Sequence, residues 1–344
     1  MPQQPSDHKP GHAESTAARL VAPGIWQFVI PIPFPLRTVN VYALVGPDGW
    51  VLVDTALGTP EARAAFNTSL QDAHLALEDL QAIVLTHHHP DHVGLSGELQ
   101  ALTDVPVYMH PIDEAAVQII WKNTMGQRFD TVSTFFAQHG LPQTDLWYTS
   151  EDPDKRRQVI SVPPHEAFRL VEDDTHLTLA GERYRVLWVP GHSDGQISLL
   201  RESDGIYLSA DHVLPRITPN IGLYSTQNRP NPLDDFIHSL RRVSTLPASL
   251  VLPGHGNPFP GLTQRAQEII DHHQERLQLI LTLLAPRSQH AAAITAQLFQ
   301  DRLKSDEARR MAVAEVLSHL EYLRYTNQVT QQLANDGTIR YSVV

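Results

Sequence analysis

The sequence has no cysteine among its 344 residues. That removes disulfides, thiolate metal sites and thiol nucleophiles together, so any bound metal must be held by imidazole and carboxylate. Such a donor set suits zinc, iron or manganese. Long apolar runs are missing as well: no window approaches the roughly 18 consecutive apolar residues of a membrane span. The opening MPQQPSDHKPGHAEST is polar and proline-rich, without the apolar core of a secretion signal. Together these absences predict a cytoplasmic protein with no membrane partner, and a flexible tail over residues 1–18. Positive charge is scarce. Against 38 Asp and Glu stand 26 Lys and Arg, a formal net charge of -12, which opposes non-specific attraction to nucleic acid.

What is present is ample apolar material and a strong alternation. Hydrophobic residues make up 42% of the chain, enough for a packed core, and the length suggests about two domains. From Gly24 to Asp54 the text reads as strands, IWQFVIPIP, VNVYALVG and GWVLVDT, with a PDG turn between the last two. Residues 60–80 have helical spacing after a proline, AIVLT is a short buried strand, GLSGELQAL a helix, VPVYM a strand and PIDEAAVQIIWKN a helix. This rhythm predicts an α/β class with helices covering sheet faces. Residues of about 122–165 interrupt it with aromatics, charges and prolines. They are expected to form a mainly helical insertion, either lying over an active-site mouth or making a surface excursion. Strands resume with a hairpin around Ala180-Gly181, a second around SDG, and SLVLPGHG. After Leu262 come three amphipathic helical segments and two strands around Asn335-Asp336-Gly337, the outline of a winged-helix module over 263–344.

The chemistry concentrates in VLTHHHPDHVG, where residues 87–92 hold four histidines and one aspartate directly after an apolar strand. His87 and His89, two apart, can point the same way and share a metal. Asp91 and His92 are displaced round the turn and can face a second. One loop cannot complete two coordination spheres. Three other places repeat its grammar of apolar strand and then polar turn: His192 in VLWVPGHSDG, Asp211 in IYLSADHV and His255 in LVLPGHG, with Asp54 placed likewise after WVLV. His88 is expected to face away, as neighbours in an extended turn do. His212 and Tyr224 are candidate substrate contacts, with structural roles as the alternative. His272 and His273 read as structural.

Over residues 24–260 this ordered set resembles the metallo-β-lactamase superfamily. The resemblance implies an αββα sandwich over residues 19–262 with metals at one edge between the sheets. It also implies that His87, His89 and His192 bind one metal and Asp91, His92 and His255 a second, that Asp211 bridges both, and that Asp54 orients the loop from behind. Two zinc ions, or iron or manganese, would then generate a hydroxide nucleophile near neutral pH and polarise the attacked group, with Asp91 as the catalytic carboxylate orienting the water or carrying its proton. The C-terminal outline resembles the subgroup named after the β-lactamase-like protein 2 of animals, some of whose members cut single-stranded RNA. Yet residues 263–344 carry nine Lys and Arg against nine Asp and Glu, a poor balance for gripping a duplex, so packing or homodimerisation is the expected role. The expected activity is dinuclear zinc hydrolysis of a small thioester, ester or lactone. Alternatives are a phosphodiesterase or endoribonuclease acting on single-stranded RNA, a mono-iron dioxygenase, and a metal-sensing regulator.

Overall fold

Strand residues of this chain alternate between two apolar surfaces, so each sheet must be covered on both faces. In β3 (Thr38–Gly46), Val39, Val41 and Ala43 pack into one core while Tyr42 and Leu44 pack into another. In β4 (Gly49–Val53), Trp50 and Leu52 divide from Val51 and Val53 in the same way. The computed structural model describes residues 18–123, 125–141, 158–224 and 229–344. Residues 1–17 of the expected N-terminal tail, and residues 124 and 142–157 of the expected insertion, lie outside the described residues.

Seven strands form the first sheet in the order β1 (Arg19–Ala22), β2 (Ile25–Pro31), β3, β4, β5 (Leu80–Val84), β6 (Val107–Met109) and β7 (Phe168–Leu170). Pairing is antiparallel as far as β4 and parallel beyond it. The second sheet runs β12 (Leu250–Pro253), β11 (Ile206–Ala210), β10 (Ile197–Arg201), β9 (Glu182–Trp188) and β8 (His176–Leu179), with only β11 and β12 parallel. Between the sheets lies a core that includes Tyr42, Val53, Val84, Tyr184, Leu199 and Leu208. Helices α1 (Pro60–Asp72) and α3 (Ser96–Thr103) cover the outer face of the first sheet, and the one-turn α2 (Pro90–Val93) sits at its edge. Then follow α4 (Pro111–Val117), a π-helical turn over Gln118–Asn123 and α5 (Met125–Gln138).

The outer face of the second sheet is covered by α6 (Pro232–Val243) together with the C-terminal helices α7 (Leu262–Leu284), α8 (Ala291–Phe299) and α9 (Asp306–Tyr325). A hairpin of β13 (Val329–Leu333) and β14 (Ile339–Val343) closes the chain. Leu187, Tyr207 and Val251 of the sheet share one continuous core with Phe236, Ile269, Leu317 and Tyr341. The layers are therefore αββα, and the C-terminal helices belong to the fourth. Phe236 is wholly buried there, and truncating it to alanine would cost about 3–5 kcal/mol.

Some boundaries differ from the sequence pattern. The helix expected over 60–80 stops at Asp72, because His74 takes left-handed backbone (φ 55°) and Leu77–Asp79 make a separate 3-10 turn. The strands β1 and β7 carry too few residues to announce themselves. The helix α6 is absent from the sequence reading although its signals are present: it has proline in its first turn, Asp234 and Asp235 after it, Arg241 and Arg242 in the last turn, and buried Leu233, Phe236, Ile237, Leu240 and Val243.

Candidate metal centre

Parallel pairing of β4 with β5, and of β11 with β12, brings their C-terminal ends to one edge of the sandwich. Each of these strands ends just before a polar residue. β5 runs through Leu85 and Thr86 into His87, and Pro90 starts the one-turn α2, which swings Asp91 and His92 inward. The loop is tied down from behind: Thr55 donates to the His92 carbonyl from both its amide and its hydroxyl, at 2.8 Å each. β11 ends at Ala210, directly before Asp211, β12 leads through Gly254 to His255, and β9 through Gly191 to His192. Gly191 (φ 137°) passes so close to α6 that a Cβ there would lie 2.4 Å from the Cβ of Phe236.

Seven side chains converge. Donor atoms of His87, His89 and His192 lie within 4.8 Å of one another, as do those of His87, His92 and Asp211, and those of Asp91, His92 and His255. Asp211 Oδ2 stands between the groups, 3.6 Å from His92 Nε2, 3.5 Å from His192 Nε2 and 3.2 Å from His255 Nε2. Asp91 Oδ2 is 3.5 Å from His255 Nε2 and 3.9 Å from His92 Nε2. Four of the imidazoles turn their Nδ1 outward onto a fixed partner. His92 meets Asp54 Oδ2 at 2.8 Å, His87 meets Thr86 Oγ1 at 3.0 Å, His192 the Asn220 carbonyl at 2.8 Å and His255 the Thr38 carbonyl at 2.7 Å. Their Nε2 atoms therefore face the common space, where His89 presents Nδ1, 3.1 Å from His87 Nε2.

That space suits a cation. His92 Nε2, His192 Nε2 and Asp211 Oδ1 are buried without a hydrogen-bond partner, a condition that costs about 1–3 kcal/mol for each atom and that a divalent ion would relieve. Charge is arranged accordingly. Burial and the neighbouring imidazoles hold His87 and His89 well below the usual histidine pKa, leaving both imidazoles neutral. Burial opposes charge on His92 and His255, yet Asp211 and the other carboxylates raise both. Burial would raise Asp211 too, but His255 and His92 hold it well below the ordinary carboxylate range. Mixed imidazole and carboxylate donors of this kind bind zinc or iron.

Around the centre, Asp54 accepts from the Thr86 amide (2.7 Å) and hydroxyl (2.8 Å) as well as from His92. His88 faces away and is held by Asp113, which accepts from its amide (2.9 Å) and lies 3.1 Å from its Nδ1. Asp113 also accepts from Ser193 Oγ and the Gly195 amide, both at 2.7 Å, so one buried carboxylate staples the His87–His92 loop to the His192 loop. Nothing in the spacing of YMHPIDEAA marks Asp113 for this role, since it reads as the first-turn acid of a helix. The carbonyls of Thr38 and Asn220 are equally silent, because any residue type supplies one. His212, a candidate substrate contact with a structural role as the alternative, is wholly buried, 2.8 Å from Ser239 Oγ, and burial presses its pKa down to about 3. Tyr224 is half-buried and donates to Asn220 Oδ1 at 3.2 Å. His273 is buried, 3.1 Å from His319 Nε2.

Comparison with known proteins agrees with this geometry. A family model described as the metallo-beta-lactamase superfamily matches residues 35–255, and one described as the metallo-beta-lactamase-like C-terminal domain matches residues 277–344. The fold is similar to the crystal structure of a metallo-β-lactamase family protein from Thermus thermophilus, with a TM-score of 0.82 and 37% identity, covering 94% of this chain and 100% of that one. The probable metallo-hydrolase YqjP of Bacillus subtilis (strain 168) is 28% identical over 311 residues, 88% of this chain and 92% of that protein. The beta-lactamase-like protein 2 homolog of Caenorhabditis elegans is 23% identical over 314 residues, 90% and 83% respectively. With the family model spanning every residue of the convergent cluster, the chain belongs to the metallo-β-lactamase superfamily and is a metal-dependent hydrolase.

Proposed function

We propose that the protein is a dinuclear zinc hydrolase of a small cytoplasmic thioester, ester or lactone. The observation that carries this reading is the convergence of five imidazole nitrogens and two carboxylates at one buried edge, with three of their atoms unpartnered. His87, His89 and His192 would hold one ion, Asp91, His92 and His255 the other, with Asp211 shared. When bound, two such ions supply a deprotonated water at neutral pH and polarise the attacked oxygen. The chain's own residues do the rest. Asp54 fixes the His92 tautomer, the Asn220 and Thr38 carbonyls fix those of His192 and His255, and the ligands arrive oriented. Asp91, whose side chain is 12% accessible against 7% for Asp211, would besides holding an ion orient that water or carry its proton.

The acidic charge favours a small substrate over a polyanion. A second reading, cleavage of single-stranded RNA, is supported by the likeness to the Caenorhabditis elegans protein over 90% of this chain and by the C-terminal order of three helices and a hairpin, read as a winged helix. Metal analysis paired with thioester, lactone, ester, phosphodiester and single-stranded RNA substrates tests both. Stoichiometric iron, or chelator-sensitive RNA cleavage without esterase or thioesterase activity, would overturn the leading reading.

A further inference from the structure

Residues of the C-terminal unit grip one loop of the metal centre. The loop runs from Val213 to Tyr224, directly after Asp211 and His212, and has no regular secondary structure. With Pro215 and Pro219 in it, the loop lacks two amide donors and cannot satisfy its own carbonyls, so its polar backbone must find partners elsewhere. Ser209 Oγ donates to the Val213 carbonyl at 2.8 Å, and several of the other partners lie beyond residue 262. Arg265 on α7 donates from Nε to the Leu214 carbonyl at 2.7 Å and from Nη2 to the Ile217 carbonyl at 2.9 Å. On α9, Ser318 Oγ lies 2.6 Å from the Ile221 carbonyl and 2.8 Å from the Glu315 carbonyl, while the Leu223 amide donates to the Ala314 carbonyl at 3.0 Å. Asn220 Nδ2 reaches the Met311 carbonyl at 3.5 Å. In the middle of the held segment, the Asn220 carbonyl accepts from His192 Nδ1 at 2.8 Å.

We infer that the C-terminal unit braces the metal centre, with Arg265 and Ser318 as positioning residues that set the His192 imidazole through the Asn220 carbonyl. This rests on reading His192 as a metal ligand. The physical reason is leverage. An imidazole ligand is oriented by the bond on its far nitrogen, and that bond ends here on a backbone carbonyl whose position is only as fixed as its loop. Without the contacts at 214, 217 and 221, the loop keeps only the Leu223 amide and the Asn220 side chain bonded to α9, so the Asn220 carbonyl is held less firmly and His192 gains freedom to rotate or change tautomer.

The full chain tests this in the double variant R265M/S318A, with Val329→Ala as a control. Val329 is a buried residue of β13 whose strand pairs only with β14, so its truncation lowers stability without removing a bond to the loop. Release of zinc to a chromogenic chelator should become about tenfold faster for one of two equivalents in the double variant, and unchanged in the control. Arg265→Lys, whose single ammonium nitrogen replaces the fork that reaches both carbonyls, should fall between. In metal-free protein with labelled imidazoles, the hydrogen-bonded His192 Nδ1–H resonance should be lost in the double variant and kept in the control. Wild-type zinc release, an unchanged His192 resonance, or equal effects in Val329→Ala would each overturn the brace. Wild-type protein that takes up no divalent metal would sink the hydrolase reading instead, and the His192 resonance would still decide the brace.

Discussion

Asp113 offers the sharpest single perturbation, because its carboxylate accepts four donors within 3.1 Å and has no exposed surface. Replacing it with asparagine keeps size and shape and changes only what one oxygen can do. Oδ2 serves the His88 amide, His88 Nδ1 and Ser193 Oγ, and Oδ1 serves the Gly195 amide alone. The variant's amide oxygen must take the Oδ2 place, which turns its NH2 group against the Gly195 N–H, donor against donor. One buried amide is orphaned, at about 1–3 kcal/mol, and the remaining bonds lose their charge assistance, worth roughly 1 kcal/mol more in sum. Unfolding of metal-free D113N in urea should therefore require about 2–4 kcal/mol less than wild type. Because Asp113 staples the two ligand loops together, metal affinity should also fall about 10–100-fold, read by competition with a fluorescent chelator. A D113N protein with wild-type urea midpoint and wild-type affinity would refute the reasoning outright. Loss of stability with unaltered affinity would show that the staple supports the fold and not the ligands.

Other outcomes follow from the same geometry. His87→Ala should lower metal content and abolish hydrolysis, and wild-type turnover in it would sink the proposed site. Gly254→Ala should damage the centre without touching a ligand, because its Cβ would sit 2.1 Å from Asp211 Oδ1; metal analysis of the purified variant checks it. Removing metal should cost about 4 kcal/mol of unfolding free energy relative to protein held at a thousandfold its Kd, measured by calorimetry with and without chelator. Buried His139 and His319 are pressed down to about 4 by burial, against about 6.5 when unfolded. The unfolded chain thus binds more protons between those values. Stability is full above about pH 6.5 and falls as pH drops towards 4, at up to about 1.4 kcal/mol per pH unit for each histidine. Urea midpoints across that range should slope less in His139→Gln than in wild type.

The convergent cluster is legible in the sequence because its members announce themselves twice, by residue type and by place. His192, Asp211 and His255 each follow an apolar strand closely, and strand ends are where an α/β sandwich collects polar groups. The partners behind the converging side chains are not legible. Asp113 is distant from its donors by 25 residues at His88 and 80 at Ser193, so only the fold brings them together. The carbonyls of Thr38 and Asn220 leave no trace in residue type at all. For His212 the sequence leaves two roles open, and the fold places it in the structural one. Its place beside Asp211 suggested the site, but alternation along the chain turns adjacent side chains to opposite faces, and His212 lands among Tyr207, Phe236 and Ser239.

The long helix α7 has a consequence for how this architecture can be cut and recombined. One family model ends at residue 255 and the other begins at 277, so the seam between them is occupied by a rod running unbroken over Leu262–Leu284. Its N-terminal half seats Leu262, Ala266 and Ile270 in a core continuous with the one that receives Leu277, Ile280 and Leu284 from its C-terminal half. A graft made anywhere along that rod must preserve helical phase, since inserting or deleting one residue rotates everything downstream by about 100°. The two segments can be exchanged between relatives only in whole-turn register, much as two lengths of threaded shaft must be joined in pitch.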